Sequence, residues 1–356
     1  MRVVAAMSGG VDSSVAAALL ADEGNDVIGL SMQLYDQREG DIKFGSCCTL
    51  DDLHDARRVA SILGIPHYIM NFERQFNEHV VSNFVEEYTA GRTPLPCVRC
   101  NGDLKFTTLL DRARGFGAPT VATGHYARVV QVEDGSYLLK RGLDETKDQS
   151  YFLFTLNQSQ LACAEFPLGT LQKDDVRLYA ENRSFPVARK PDSQELCFVP
   201  DGDYATFVER RTIKNPKAGP IEDATGRMLG SHAGVHRFTV GQRRGLGISS
   251  SVPLYVTALD ARSGTVTVGP RYELERSTLH ASDVNWVSGN PPPTTCRITA
   301  QIRHQHRAAN ATVNALDGRR ARVDFEEAQP AITPGQAVVF YQDETVLGGG
   351  WISSSD

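Results

Sequence analysis

The chain lacks any run of about 18 consecutive apolar residues, the length a bilayer-spanning helix needs, so no membrane span is expected. Its first residues enter a strand-like apolar run almost at once, Val3-Val4-Ala5-Ala6, without the pattern of a signal peptide. A cytoplasmic location is expected. There is no internal repeat and no low-complexity tract. Excess positive charge is also missing: the formal net charge is −6 over 356 residues, which argues against a uniformly basic nucleic-acid binder. A local patch stays possible, because Arg297, Arg303, Arg307, Arg319, Arg320 and Arg322 face a single acid, Asp317, over one stretch. Cysteines number seven, at 47, 48, 97, 100, 163, 197 and 296. An odd count in a chain of this length excludes a disulfide scaffold. In a reducing compartment such cysteines are core fillers, metal ligands or nucleophiles. The length suggests two or three domains.

What is present begins at residues 7 to 14, Met7-Ser8-Gly9-Gly10-Val11-Asp12-Ser13-Ser14, followed by the helical run Val15 to Leu20. Strand, glycine turn and helix in that order make an anion cradle. Glycines let backbone approach the ligand, and the helix start aims unpaired N–H groups at it. No lysine sits in the loop, which excludes the Walker pattern, and the Rossmann glycine spacing is absent too. The loop resembles the PP-loop of ATP pyrophosphatases, Ser-Gly-Gly-x-Asp-Ser, whose members split ATP between the α and β phosphates. A polar turn with Asp12 as helix N-cap is the plainer reading, and both roles can coexist.

The first 120 residues alternate strands and helices. Strands are expected at Asp26–Leu34, Pro66–Met70 and Pro119–Thr123. Helices are expected from Thr49 to Gly64, with Asp52 completing a capping box, and near 72–90 and 101–115. Such β–α alternation implies a parallel sheet covered by helices on both faces, with ligands at the carboxyl ends of the strands. Asp134-Gly135 marks a hairpin. Helical segments resume from about 157 to 184. Lys214-Asn215-Pro216-Lys217-Ala218-Gly219-Pro220 is a break before a small β-rich module, and Gly289-Asn290-Pro291-Pro292-Pro293 is a second. Strands at 296–304, 310–316, 320–325 and 337–341 then suggest a small β-barrel. The expected domains are 1–205 (catalytic, ATP-binding), 206–275 (β-rich) and 276–356 (β-barrel).

Cys97-Val98-Arg99-Cys100 follows Pro94-Leu95-Pro96, and Asn101 is suited to cap the next helix. Cys100 would then sit just before a helix start, where partial positive charge lowers a thiol's pKa. A zinc half-site is the alternative for this C-x-x-C, but there is no second C-x-x-C and Cys47-Cys48 are adjacent. Cys197, in Asp192-Ser193-Gln194-Glu195-Leu196-Cys197-Phe198, reads as either a buried small hydrophobe or a reactive thiol. Cys163 and Cys296 read as inert.

Taken in order, several motifs make the resemblance specific. They are Ser8 to Ser14; Cys47-Cys48 with Asp51-Asp52 and Ala56-Arg57; Pro96 with Cys100-Asn101 and Lys105-Phe106; Ala122-Thr123-Gly124-His125-Tyr126-Ala127; Lys147-Asp148-Gln149-Ser150-Tyr151; Asp192-Ser193 with Cys197-Phe198; and Gly241-Gln242-Arg243-Arg244-Gly245-Leu246-Gly247. From residue 2 to beyond 350 the chain resembles the bacterial tRNA-specific 2-thiouridylase family of the PP-loop superfamily.

The resemblance implies a tRNA-uridine 2-sulfurtransferase that replaces the C2 oxygen of the wobble uridine by sulfur in lysine, glutamate and glutamine tRNAs. It implies ATP and Mg²⁺ as the small-molecule partners and no protein-built metal cage, with Asp12 as the one residue able to help position Mg²⁺. ATP would be held by Ala6, Met7, Ser8, Gly9, Gly10, Val11, Asp12, Ser13, Met32 and Gly124. Cys197 corresponds to the persulfide carrier and Cys100 to the nucleophile, and the two would finish a cycle joined as a disulfide. The target base leaves the anticodon stack. Leu95, Pro96 and Cys97 would line its pocket, where many members carry Asn-Pro-Asp, and Cys97 would lie close enough to compete with Cys100. His125, Lys147, Asp148, Gln149, Arg303, His304 and Gln342 correspond to tRNA contacts. The implied partners are a tRNA anticodon stem-loop and a sulfur donor, either a relay protein or a cysteine desulfurase, acting on a monomer. Two other readings compete: another PP-loop ligase or amidotransferase, and a non-catalytic RNA-binding protein with a degenerate ATP site.

Overall fold

The apolar runs of the N-terminal half pair as a parallel sheet in the computed structural model, which describes residues 1–35, 50–192, 196–199, 202–212 and 217–356. In chain order the strands are β1 (Arg2–Ala6), β2 (Asp26–Gln33), β3 (His67–Asn71), β4 (Thr120–Ala122), the hairpin β5 (Ala127–Gln131) and β6 (Tyr137–Arg141), and β7 (Ala164–Glu165). The sheet runs β3-β2-β1-β4-β7, with every neighbouring pair parallel. The helices are α1 (Val11–Asp22), α2 (Leu50–Leu63), α3 (residues 73–89), α4 (residues 96–115), α5 (Gln158–Leu161), α6 (Lys173–Asn182) and α7 (Tyr204–Arg211). Successive residues of a strand face opposite sides. Val3 and Ala5 of β1 accordingly join the core under α1, α2 and α6, while Val4 joins the core under α3 and α4. Helices therefore cover both faces, as the alternation implies. Chain order reverses beside β1, which has β2 on one side and β4 on the other. The crevice at their carboxyl ends is where such sheets take ligands.

Two local expectations are corrected. The first concerns α1, which begins at Val11 with Gly10 as its N-cap, so Asp12 is already inside the first turn. The hydroxyls of Ser13 and Ser14 turn back onto the Gly10 carbonyl at 3.2 and 2.8 Å instead. The second concerns α4, which starts at Pro96 rather than Asn101. Proline fits the first helical position because its missing N–H would be unpaired there anyway. Cys100 lies one turn inside, and Asn101 donates to the Phe152 carbonyl at 3.2 Å. Residues Cys100–Leu109 of α4 are wound with i→i+5 bonds. Thr49, the expected cap of α2, lies outside the described residues, as do Cys47, Cys48, Ser193, Gln194, Glu195 and the break at Lys214-Asn215-Pro216.

The middle module has strands β8 (Gly219–Glu222), β9 (Met228–His232), β10 (Tyr255–Asp260) and β11 (Thr265–Gly269), ordered β10-β11-β8-β9 over its own core of Ile221, Phe238, Val256, Val266 and Val268. The C-terminal part is a closed barrel of β12 (Glu275–Trp286), β15 (Arg320–Pro330), β14 (Ala309–Leu316), β13 (Cys296–Gln301), β16 (Ala337–Gln342) and β17 (Thr345–Ser355), in that order around the wall. The sequence reading misses β12 and β17, which pair with each other to close it. Gly348-Gly349-Gly350 sits inside β17, where a Cβ on any of the three would stand 2.3 to 2.8 Å from an Asn285 or Ser282 carbonyl oxygen or a Phe154 ring carbon. Glycine keeps this strand tight against its neighbours.

The barrel is not free of the first sheet. β6 adds to the edge of β17, with Leu139 opposite Val346 and Lys140 opposite Thr345. Glu344 bridges Arg128 and Lys140 beside that seam. One continuous core holds Val4, Val121 and Leu139 together with Val339, Tyr341 and Val346 of the barrel. Glu344 meets its two partly covered partners at the surface, where ion pairs contribute little, so the apolar seam carries the stabilisation.

Candidate active site

A cavity of about 340 Å³ opens at the carboxyl ends of β1, β2 and β4. Each side of it comes from a different element. β1 runs into Ala6, Met7 and Ser8, and the start of α1 gives Asp12 and Ser13. β2 ends in Met32 and Leu34. β4 ends in Thr123, Gly124 and His125, and α4 contributes Pro96, Cys97, Cys100, Asn101 and Lys105. Gln149 and Phe152 close one rim, and Leu196, Cys197 and Phe198 another.

The loop after β1 is shaped by close packing. Gly9 has φ +78°, and a Cβ there would fall 2.2 Å from the Asp52 carbonyl oxygen. Gly124 presses on the opposite side, where a Cβ would be 2.7 Å from the Asp12 carbonyl carbon and the Ser13 nitrogen. The Ser8 backbone N–H donates to the Ser13 hydroxyl at 3.1 Å, which curls the loop. Lys190 ties it to α2, bonding the Gly9 carbonyl at 3.1 Å and pairing with Asp52 and Asp55. Burial works against the Lys190 charge, but those two carboxylates raise its pKa overall.

Asp12 is the centre of a charge network that sequence reading did not anticipate. Lys173 reaches both Asp12 oxygens at 2.7 Å, and the Tyr126 hydroxyl donates to one of them at 2.8 Å. Lys173 also meets Asp192 at 2.8 Å, and Asp192 takes Lys147 at 2.8 Å and Arg177 at 2.9 Å. Burial pushes the Asp192 carboxyl up, but Lys147 and Lys173 outweigh it and hold the pKa down to about 2. Burial and the neighbouring Asp12 carboxylate raise the Tyr126 hydroxyl's pKa, keeping it a donor. Lys173 occupies the first position of α6, where a cation opposes the helix dipole. That local conflict is the one sequence signal that could have marked it.

His125 is buried, and its Nδ1 shares a 2.6 Å hydrogen bond with the Thr123 hydroxyl. Burial, with the nearby Lys105 charge, lowers its pKa well below the ordinary imidazole value. The ring is neutral at physiological pH. Lys105 itself is anchored on the Asn101 side-chain oxygen at 2.9 Å.

The structure brings Ala6, Met7, Ser8, Asp12, Ser13, Met32, Gly124, Pro96, Cys97, Cys100, His125, Gln149 and Cys197 to this one cavity. Cys97 is exposed, and Cys100 and Cys197 are half-buried. Gly9, Gly10 and Val11 form the back of the loop, with Val11 in the core under α1. Leu95 packs against the core instead of lining the cavity. Asp148 is almost wholly enclosed, paired with Arg141 at 2.6 Å and accepting from the Gly142 and Ser150 N–H groups, so it braces its loop from within. His304 of the barrel packs at a tilt against Phe152, ring centroids 4.5 Å apart, and so stands beside the rim. Arg303 bonds the Pro330 carbonyl at 3.3 Å, and Gln342 is exposed at the end of β16. The six arginines of the C-terminal stretch are spread over β13, the following loop, the β14–β15 turn and β15.

Comparison with known proteins adds a family to this geometry. The family model described as "tRNA methyl transferase HUP domain" matches residues 1–201, a "tRNA methyl transferase PRC-barrel domain" matches 205–270, and an "Aminomethyltransferase beta-barrel domain" matches 276–352. A protein of Geotalea uraniireducens named "tRNA-specific 2-thiouridylase MnmA" is 53% identical over 99% of this chain and 94% of its own length. Its namesake in Geobacter metallireducens is 52% identical over 99% of this chain and 97% of its own length. The chain belongs to the tRNA-specific 2-thiouridylase family. A Moorella thermoacetica member is 48% identical, covering 98% of both chains. The family's reach over all three parts agrees with the continuous core that joins barrel and sheet.

Proposed function

We propose that the chain catalyses ATP-dependent 2-thiolation of the wobble uridine in lysine, glutamate and glutamine tRNAs. The observation that carries this reading is the meeting of three thiols, Cys97, Cys100 and Cys197, with an anion-cradling loop around one cavity. Neither a ligase nor an RNA-binding module needs that combination.

In this reading Ala6 to Ser13 hold the ATP phosphates, Met32 packs near the adenine, and Gly124 leaves room for the nucleotide. Mg²⁺ fits only as a companion of ATP, since Asp12 offers a single carboxylate and the phosphates would supply the rest. When bound it supplies charge neutralisation at the phosphates. The extruded uridine enters past Pro96 and Cys97, with Leu95 behind them in the core, and meets neutral His125. Its C2 oxygen attacks the α-phosphorus, and pyrophosphate leaves. A sulfur donor, a relay protein or a desulfurase, has by then loaded Cys197 as a persulfide. The terminal sulfur attacks C2, and AMP leaves with the original oxygen. The Cys100 thiolate attacks the inner sulfur of Cys197, so the cycle ends with a Cys100–Cys197 disulfide and thiolated tRNA, and an external thiol resets the pair. Lys147, Gln149 and His304 mark the RNA-facing rim beside the cavity, with Arg303 and Gln342 further out, and Asp148 supports RNA contact only by holding the 147–149 loop in shape.

The test is mass spectrometry of tRNA incubated with the protein, ATP and a persulfide donor. The expected product has sulfur in place of one oxygen at the wobble uridine. Added methylene would favour the methyl transfer that two of the matched models name, and unchanged tRNA would remove the proposal. Cys100→Ser and Cys197→Ser should each abolish product, and full turnover in Cys100→Ser would overturn its assignment.

A further inference from the structure

The cavity holds one thiol more than the proposed cycle uses. Cys97 and Cys100 sit three residues apart at the start of α4, Cys97 directly after Pro96 and Cys100 one turn on. Residues at that spacing lie on one helix face with Cβ atoms about 5–6 Å apart, a short closure away from disulfide range. The turn is already drawn in, because the Cys100 N–H bonds both the Cys97 and the Pro96 carbonyls. Closure would have to keep the Cys100 N–H bonds and the 3.2 Å bond from the Val98 N–H to the Leu95 carbonyl. Cys97 is the exposed member, while Cys100 and Cys197 are half-buried, and all three line the same cavity.

We propose that Cys97 is a resolving cysteine that carries the oxidising equivalent from the Cys100–Cys197 disulfide out to solvent. The inference rests on the thiolation reading for the origin of that disulfide. The Cys97 thiolate attacks the Cys100 sulfur. A Cys97–Cys100 bond forms, the Cys100–Cys197 bond breaks, and Cys197 leaves as a thiolate that takes a proton from water. No net oxidation occurs in this exchange. A dithiol reductant in solution then supplies two electrons to the exposed Cys97–Cys100 bridge, becoming a disulfide itself and leaving both protein thiols reduced. Cys197 is thereby returned to the sulfur donor before the reductant arrives, so loading and resetting occur at different sulfurs.

Two measurements test this on the full chain. In the first, protein alone is equilibrated in glutathione redox buffer, acid-quenched, alkylated and mapped by mass spectrometry. The expected bridge is Cys97–Cys100 in the natural chain and Cys100–Cys197 in Cys97→Ser and Cys97→Ala. In the second, recovery after one turnover is timed with dithiothreitol. With dithiothreitol at about 0.1 mM, both variants should recover about tenfold more slowly, because a tethered thiol acts at an effective concentration of order millimolar. A natural chain whose Cys97 stays open to alkylation while Cys100–Cys197 forms would overturn the proposal, as would equal recovery rates. Bridge exchange without any tRNA thiolation would instead sink the thiolation reading and leave the exchange standing. Thiolation with Cys97 never bridged would do the reverse.

Discussion

At the scale of single residues, contact distances decide what can change. Gly124→Ala would place a methyl 2.7 Å from the backbone of Asp12 and Ser13. We expect an overpacking cost of about 1–3 kcal/mol, read by thermal unfolding, and weaker ATP binding by calorimetric titration. Lys173→Met would leave Asp12 and Asp192 without their shared cation. The Asp192 pKa is held at about 2, so its stabilising contribution is complete above the ordinary carboxylate pKa of about 3.9 and is lost as pH falls through about 2. Without Lys173 the folded pKa rises, and acid unfolding should begin at higher pH, as circular dichroism would follow. His125 behaves as a base refused its proton. Its contribution is complete above about pH 6.5 and is lost as pH falls, because the unfolded chain protonates where the folded one does not. Its NMR resonances should keep neutral-imidazole shifts through the pH range where an ordinary histidine titrates, and titration near the ordinary value would refute the burial argument. The glycine loop was legible because its chemistry lies in eight adjacent residues. Lys173 was not, because its partner Asp12 is 161 positions away in the chain.

At the scale of elements, the sheet seam matters more than its surface charges. Leu139 is fully buried and pairs with Val346, whereas Glu344 is half-exposed with its two cationic partners. We expect Leu139→Ala to cost about 2–5 kcal/mol and Glu344→Ala far less, measured by urea unfolding. Elements with strong local signals were readable: β1, β2, the 127–141 hairpin and the four expected barrel strands all stand near their expected places. Those decided by distant neighbours were not. β17 hides behind three glycines whose reason is the packing of β12 and Phe154 against them. The start of α4 was misplaced because Asn101 looks like a cap, yet its side chain is drawn to Phe152, 51 residues on.

At the scale of the whole molecule, cores define what unfolds together. The continuous apolar cluster links the parallel sheet to the barrel, while the middle module buries its own set around Val256 and Val266. Differential scanning calorimetry should therefore resolve one transition for sheet and barrel jointly and a separate one for the module, and a third independent transition would refute the shared core. RNA affinity should fall steeply as salt rises, since phosphate contacts release counterions. Organisation at this scale was partly legible. The two proline- and glycine-rich breaks announced three parts, but no sequence pattern revealed that a hairpin from the first would complete the edge of the third.

That borrowed hairpin limits how the chain can be recombined. A chimera importing the barrel of a relative would receive a foreign β17 while keeping its native β6, mismatching the register at Leu139 and Val346. Grafts that transplant residues 127–141 along with the barrel should succeed where cuts made only at the linkers fail, so the heritable unit of exchange is discontinuous in sequence.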